Sequence, residues 1–98
     1  MITDAPRGGQ LSRDLTIVNK RGLHARASAR FVQTAEQFDA QISVTKDGST
    51  VEGTSIMGLM MLAAAPGSVI QVTADGPDAA TALDAIAALI ADYFGEDG

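Results

Sequence analysis

The chain contains no cysteine and no tryptophan, and its 98 residues include one tyrosine, three phenylalanines and a single histidine. The missing thiols exclude a disulfide framework and a cysteine-based zinc site, and with one imidazole a metal centre would need mostly carboxylates. No metal is therefore expected. Basic residues are also scarce, 7 against 12 acids, for a net charge of -5. A chain that is acidic over most of its surface would be repelled by a phosphate backbone, so no nucleic acid is expected as a partner. Long apolar runs are lacking too. Nothing approaches the ~20 residues of a membrane span, and residues 1–10 hold no apolar centre of the kind a secretory segment needs. The expectation is a soluble, cytoplasmic protein without membrane contact.

What is present is hydrophobic material, 46% of the chain, sufficient for one modest core and hence for a single domain. Residues 1–12, with Pro6, Gly8 and Gly9 and no periodicity, read as a flexible leader, and residues 13–98 as the domain. Residues 15–18 are β-branched and extended, which predicts a first strand. Beyond His24, Ala27, Phe31, Ala35 and Phe38 fall on one face of a helix running to about Gln37. Ile42 and Val44 alternate with polar neighbours in a second strand, and Asp47-Gly48 predicts a hairpin turn into a third over residues 49–52.

Ile56, Leu59, Met60 and Ala63 keep helical spacing in a short helix over residues 55–62, which Gly58 weakens by ~1 kcal/mol relative to alanine. Pro66-Gly67 predicts a type II turn before a fourth strand over residues 69–74. Asp75-Gly76-Pro77-Asp78 opens the last helix, with Ala82, Leu83, Ile86, Leu89, Ile90 and Tyr93 as its buried face and Gly95 as its end. The order βαββαβα predicts an α+β fold, a four-stranded antiparallel sheet with three helices on one face.

The stretch Asn19-Lys20-Arg21-Gly22-Leu23-His24-Ala25-Arg26-Ala27-Ser28 places the only histidine between strand and helix, at the N-cap. There the first backbone N–H groups lack partners and the macrodipole is positive, so the Ala25 N–H and its neighbours would hold an anion carried on the imidazole. The same field disfavours imidazolium and leaves a neutral, nucleophilic ring. Arg26 adds a planar fork suited to phosphate oxygens, at a position where the dipole opposes a cation unless an anion offsets it. Residues 1–30 carry six basic residues against two acids, whereas residues 31–98 carry Lys46 against ten acids. A basic patch around His24 suits a phosphoryl group and could steer an acidic partner.

Gly22-Leu23-His24-Ala25-Arg26, followed about thirty residues on by Gly53-Thr54-Ser55-Ile56-Met57-Gly58-Leu59-Met60, resembles HPr, the histidine-containing phosphocarrier family of the bacterial sugar phosphotransferase system, including its nitrogen branch. The match covers roughly residues 14 to 94. The resemblance implies the open-faced β-sandwich of that family. It also implies that His24 Nδ1 accepts a phosphoryl group from enzyme I, charged from phosphoenolpyruvate, and passes it to a downstream EIIA-type protein. The chain would then be a stoichiometric carrier with no cofactor, not an enzyme, and most simply a monomer. Ala27 stands where most members have proline, which predicts altered affinity or rate without loss of function.

Two further positions follow from the resemblance, each with a plain structural reading beside it. Ser55 is an ordinary N-cap residue, and also matches a serine that HPr kinase/phosphorylase modifies in some members, where a phosphate would change the docking surface. Ile56, Met57, Met60 and Met61 cannot all face inward alongside Leu59 and Leu62. The family analogy makes Ile56, Met57 and Met60 a docking patch, a task that adaptable methionine suits. The alternative to a carrier is a regulatory adaptor that binds enzymes or regulators according to phosphorylation state. A small-molecule-binding domain is the third class, and it would need a polar pocket or glycine-rich loop that the chain lacks.

Overall fold

Four short runs of alternating residues pair into one antiparallel sheet in a computed structural model that describes residues 10–96. Strands β2 (Gln41–Lys46) and β3 (Ser49–Glu52) are joined by Asp47 and Gly48, both at positive φ, a two-residue turn whose twist matches that of the flanking strands. Strand β4 (Val69–Asp75) lies between β2 and β1 (Leu11–Thr16), giving the order β1-β4-β2-β3. The β4 register sets Ala74 opposite both Leu11 and Ile42.

Because side chains alternate across a pleated strand, Ile42, Val44, Ile70, Val72 and Ala74 all turn inward and are buried. The outer face is polar, with Ser12 and Thr73 hydroxyls 2.9 Å apart and those of Thr45 and Thr50 2.8 Å apart. Helices α1 (Ala25–Ala35), α2 (Ile56–Met61) and α3 (Ala79–Ala91) cover the inner face. The expected βαββαβα order and α+β open-faced sandwich are what the chain forms. Ala27, Phe31 and Ala35 of α1, Leu59 of α2, and Ala82, Leu83 and Ile86 of α3 complete one core. Fully burying a side chain the size of Phe31 contributes about 2–3 kcal/mol.

Three departures from the sequence reading bear on how the elements meet. The first strand begins at Leu11, not at Leu15, because pairing with β4 extends it past its β-branched run. Leu11 and Ser12 are therefore sheet residues and not part of the leader, whose residues 1–9 lie outside the described residues. Gly58 was expected only to weaken α2, yet a Cβ there would lie 3.0 Å from both the Val51 Cβ and the Ser55 Oγ. Glycine is what lets this helix approach β3.

The third departure is the end of the chain. Tyr93, expected on the buried face of α3, is exposed, and Phe94 is buried in its place. Helix α3 stops at Ala91, and Tyr93, Phe94 and Gly95 take φ values of 59°, 54° and 77°. Three successive left-handed residues rotate the chain so that its next aromatic side chain, not Tyr93, enters the core.

Candidate functional site

Beyond β1 the backbone stays tied to the turn before β4: the Ile17 N–H donates to the Ser68 carbonyl at 2.9 Å, and the Ile17 carbonyl accepts from the Gly67 N–H at 2.8 Å. The chain then closes a small loop. The buried Asn19 donates through Nδ2 to the Gly22 carbonyl at 2.9 Å, bracketing the exposed Lys20 and Arg21. Gly22 has φ +62°, and a Cβ on it would run into the Ala64 carbonyl, the same group that accepts the Leu23 N–H at 2.9 Å. This close approach fixes where α1 begins.

His24 is the N-cap of α1, with extended backbone angles that end the loop. Its carbonyl accepts the Ser28 N–H at 2.8 Å, the first bond of the helix. Its Nδ1 accepts the Arg26 backbone N–H at 3.3 Å, a long contact by hydrogen-bond standards. On the other side of the ring, Nε2 lies 2.6 Å from Oε2 of Glu96, whose Oε1 accepts from Asn19 Nδ2 at 3.1 Å. A carboxylate oxygen only accepts, so these contacts assign the proton to Nε2 and the lone pair to Nδ1. The His24 side chain is 22% exposed and that of Glu96 15%.

Electrostatics in this corner favour an ionised Glu96. Burial alone would raise its carboxyl, but hydrogen bonds from the His24 ring and Asn19, with the charge of Arg21 nearby, outweigh that and hold it below the ordinary glutamate value. Asn19 Oδ1 is buried with no hydrogen-bond partner among the described residues.

The predicted site residues are distributed over two helix starts. His24, Ala25 and Arg26 sit together at the N-terminus of α1, with Ala25 and Arg26 exposed and Ala27 buried beneath them. The N–H directed at Nδ1 is that of Arg26; Ala25 occupies the first helical position, where an N–H has no intrahelical acceptor. Ser55 caps α2, its Oγ accepting the Gly58 N–H at 3.0 Å. Ile56, Met57 and Met60 are exposed on α2, and Met61, which the resemblance did not place in the docking patch, is the most open at 78%. Leu59 and Leu62 go to the core, and α1 packs directly on α2.

The basic patch is smaller than its composition suggested. Arg13 bonds Asp84 on α3, and Arg30 donates to the Phe94 carbonyl. Lys20, Arg21 and Arg26 remain at the His24 end. Asn19 and Glu96 were not singled out from sequence, because Glu96 meets His24 across 72 positions that no spacing rule connects. The available signal was Phe94-Gly95-Glu96, an apolar residue and a glycine past a helix end, which by itself says only that the helix stops.

The family model for the PTS HPr component phosphorylation site matches residues 11–92. A phosphocarrier protein HPr of Neisseria meningitidis serogroup A is 57% identical over 86 residues, 88% of this chain and 97% of that one. A phosphocarrier protein NPr of Shewanella violacea is 41% identical over 87 residues, 89% of this chain and 96% of that one. The crystal structure of HPr-C-His from Thermoanaerobacter tengcongensis superposes with a TM-score of 0.86 at 44% identity, covering 90% of this chain and 99% of that one.

Proposed function

Since the chain belongs to the HPr family of phosphotransferase-system phosphocarriers, we propose that it takes a phosphoryl group on His24 Nδ1 from enzyme I and delivers it to an EIIA-type protein. The observation that supports this most directly is the lone pair of Nδ1 resting on a single long contact at the head of an eleven-residue helix. An incoming phosphoryl group displaces that contact, and its oxygens then find backbone N–H groups, the positive end of the α1 dipole and the Arg26 guanidinium. Each charge-assisted bond to those oxygens contributes roughly 1.5 to 3 kcal/mol. The adduct is held while the N–P bond stays open to attack.

The carrier acts stoichiometrically, as a monomer in the cytoplasm, with no cofactor of its own. Among the described residues no helix is long and apolar enough to cross a membrane, and no group of three metal-ligating side chains occurs. Ile56, Met57 and Met60 form the docking surface for enzyme I and the acceptor, where exposed methionines adapt to more than one partner. Ser55, already satisfied as a cap, is the position at which HPr kinase/phosphorylase would add a regulatory phosphate.

Incubation with enzyme I and phosphoenolpyruvate should give an acid-labile phosphate on the wild-type protein and none on His24→Ala. Loss of that phosphate on adding an EIIA-type protein separates a carrier from an adaptor. Labelling of His24→Ala equal to wild type would sink the assignment.

A further inference from the structure

We propose that Glu96 is a positioning residue for phosphoryl transfer, delivered to the back of the His24 ring by a left-handed turn that the rest of the chain holds in place. The inference rests on His24 being the phosphoryl-accepting residue. Its own observation is the convergence of four features on one carboxylate.

The first is backbone strain. Left-handed φ at Tyr93 and Phe94 is disfavoured for side chains that carry a Cβ, and such conformations persist only where the surroundings over-determine them. The second is what over-determines them here. Phe94 is fully buried, and the Arg30 guanidinium, from the middle of α1, donates to the Phe94 carbonyl. A Cβ on Gly95 would strike the same guanidinium, so the chain passes closely over α1 at this point. The third is where the turn leads: Glu96 follows it directly, with Oε2 at 2.6 Å from Nε2 and Oε1 at 3.1 Å from Asn19 Nδ2. The fourth is that Asn19 is buried and uses the same amide to close the Gly22 loop, so one side chain sets both the start of α1 and the aim of the carboxylate.

The chemistry needs such a group. In the acceptance step the Nδ1 lone pair forms a bond to phosphorus, and the donor's bond to phosphorus breaks with its electron pair remaining on the donor. The ring has then given away a lone pair while keeping its Nε2 proton, so it becomes cationic. Positive charge appears on Nε2–H as the transition state is approached, directly against the Glu96 carboxylate. A preorganised charge that meets developing charge lowers the barrier. When the phosphoryl group leaves, the electron pair of the N–P bond returns to Nδ1, and the same proton stays on Nε2. Glu96 also stops the ring from rotating, which keeps Nδ1 aimed at the helix start.

The test compares wild type, Glu96→Ala and Glu96→Gln in the full chain. Proton NMR of the ring should show an Nε2–H resonance protected from water exchange in wild type, lost in Glu96→Ala and kept in Glu96→Gln, whose amide oxygen still accepts. Acceptance of phosphate from enzyme I should slow by about tenfold in Glu96→Ala, with Glu96→Gln in between because it restores the contact but not the charge. Thermal melts check that each variant is folded, and the glutamine variant keeps the test open if the alanine variant is not.

An Nε2–H signal equally protected in all three proteins, or equal transfer rates in wild type and Glu96→Ala, would overturn the role of Glu96 alone. A wild-type protein that shows the protected proton but accepts no phosphate would instead overturn the carrier reading, and the transfer role of Glu96 with it.

Discussion

Helices α1 and α2 both begin on a side chain that accepts a backbone N–H from the first turn, yet the two starts are built to different ends. At α2 the Ser55 hydroxyl takes the Gly58 N–H at 3.0 Å, a short bond to the third residue in, and the cap is complete. At α1 the His24 ring takes the Arg26 N–H at 3.3 Å, a longer bond to the second residue, and a different atom of the same ring is gripped by Glu96. Among the described residues the hydroxyl has no second anchor and the imidazole does. Under the proposed function, a capping group becomes a reactive one when its capping bond is weak enough to surrender and its orientation survives that surrender. At α1 the last residues of the described chain supply that second anchor.

The largest effect should come from removing what holds that anchor. Phe94→Ala opens a cavity where a fully buried ring was, which costs about 3–5 kcal/mol. It also frees the left-handed turn, so denaturant melts should show the loss together with disappearance of the protected Nε2–H of His24. A cost below about 1 kcal/mol, the size of an ordinary surface change, would mean that the turn is held by something other than Phe94. At the other helix start the effect should be smaller and confined to stability. Ser55→Ala removes only a cap, worth about 1 kcal/mol, or a melting temperature lower by roughly 4–8 °C in a domain of this size. Phosphate acceptance at His24 should stay within about twofold, less than 0.5 kcal/mol. A larger change in rate would show that the two starts are not independent.

The legible part of this protein was the part written in local patterns. Ile42 and Val44 alternate, Asp47-Gly48 turns, Leu59 and Leu62 keep helical spacing, and each went where its pattern put it. His24 at a helix N-cap was legible for the same reason, because a strand, a break and a helix follow one another within a few residues. Illegible were the contacts that depend on packing over long separations. Tyr93 fits the buried stripe of α3 by periodicity, but the helix had already ended, and only the tertiary fit of Phe94 decides which ring goes in. Arg13 and Arg30 counted toward a basic patch in the composition, and their partners Asp84 and the Phe94 carbonyl appear only once α3 lies against β1 and α1. Glu96 was counted among the acids of residues 31–98, which said nothing of its place beside the imidazole.

The smallest effect separates the two starts by pH. The Glu96 carboxyl is held below its ordinary value in the folded chain, so over the interval just beneath the ordinary value the unfolded chain binds the proton more readily than the folded one. Glu96 therefore contributes stability that is fully present above pH 4.5, the ordinary value, and is lost as pH falls through the folded value. Glutamine at this position does not titrate and has no such dependence. The stability of wild type relative to Glu96→Gln, read from denaturant melts, should accordingly decline as pH falls from about 5 toward about 3. The same comparison between Ser55→Ala and wild type should be flat, because a neutral hydroxyl cap has no proton to exchange in that range. If the Glu96→Gln difference were flat as well, the carboxylate would not be engaged by His24 and Asn19 in solution, and the imidazole would be a cap of the same kind as the serine.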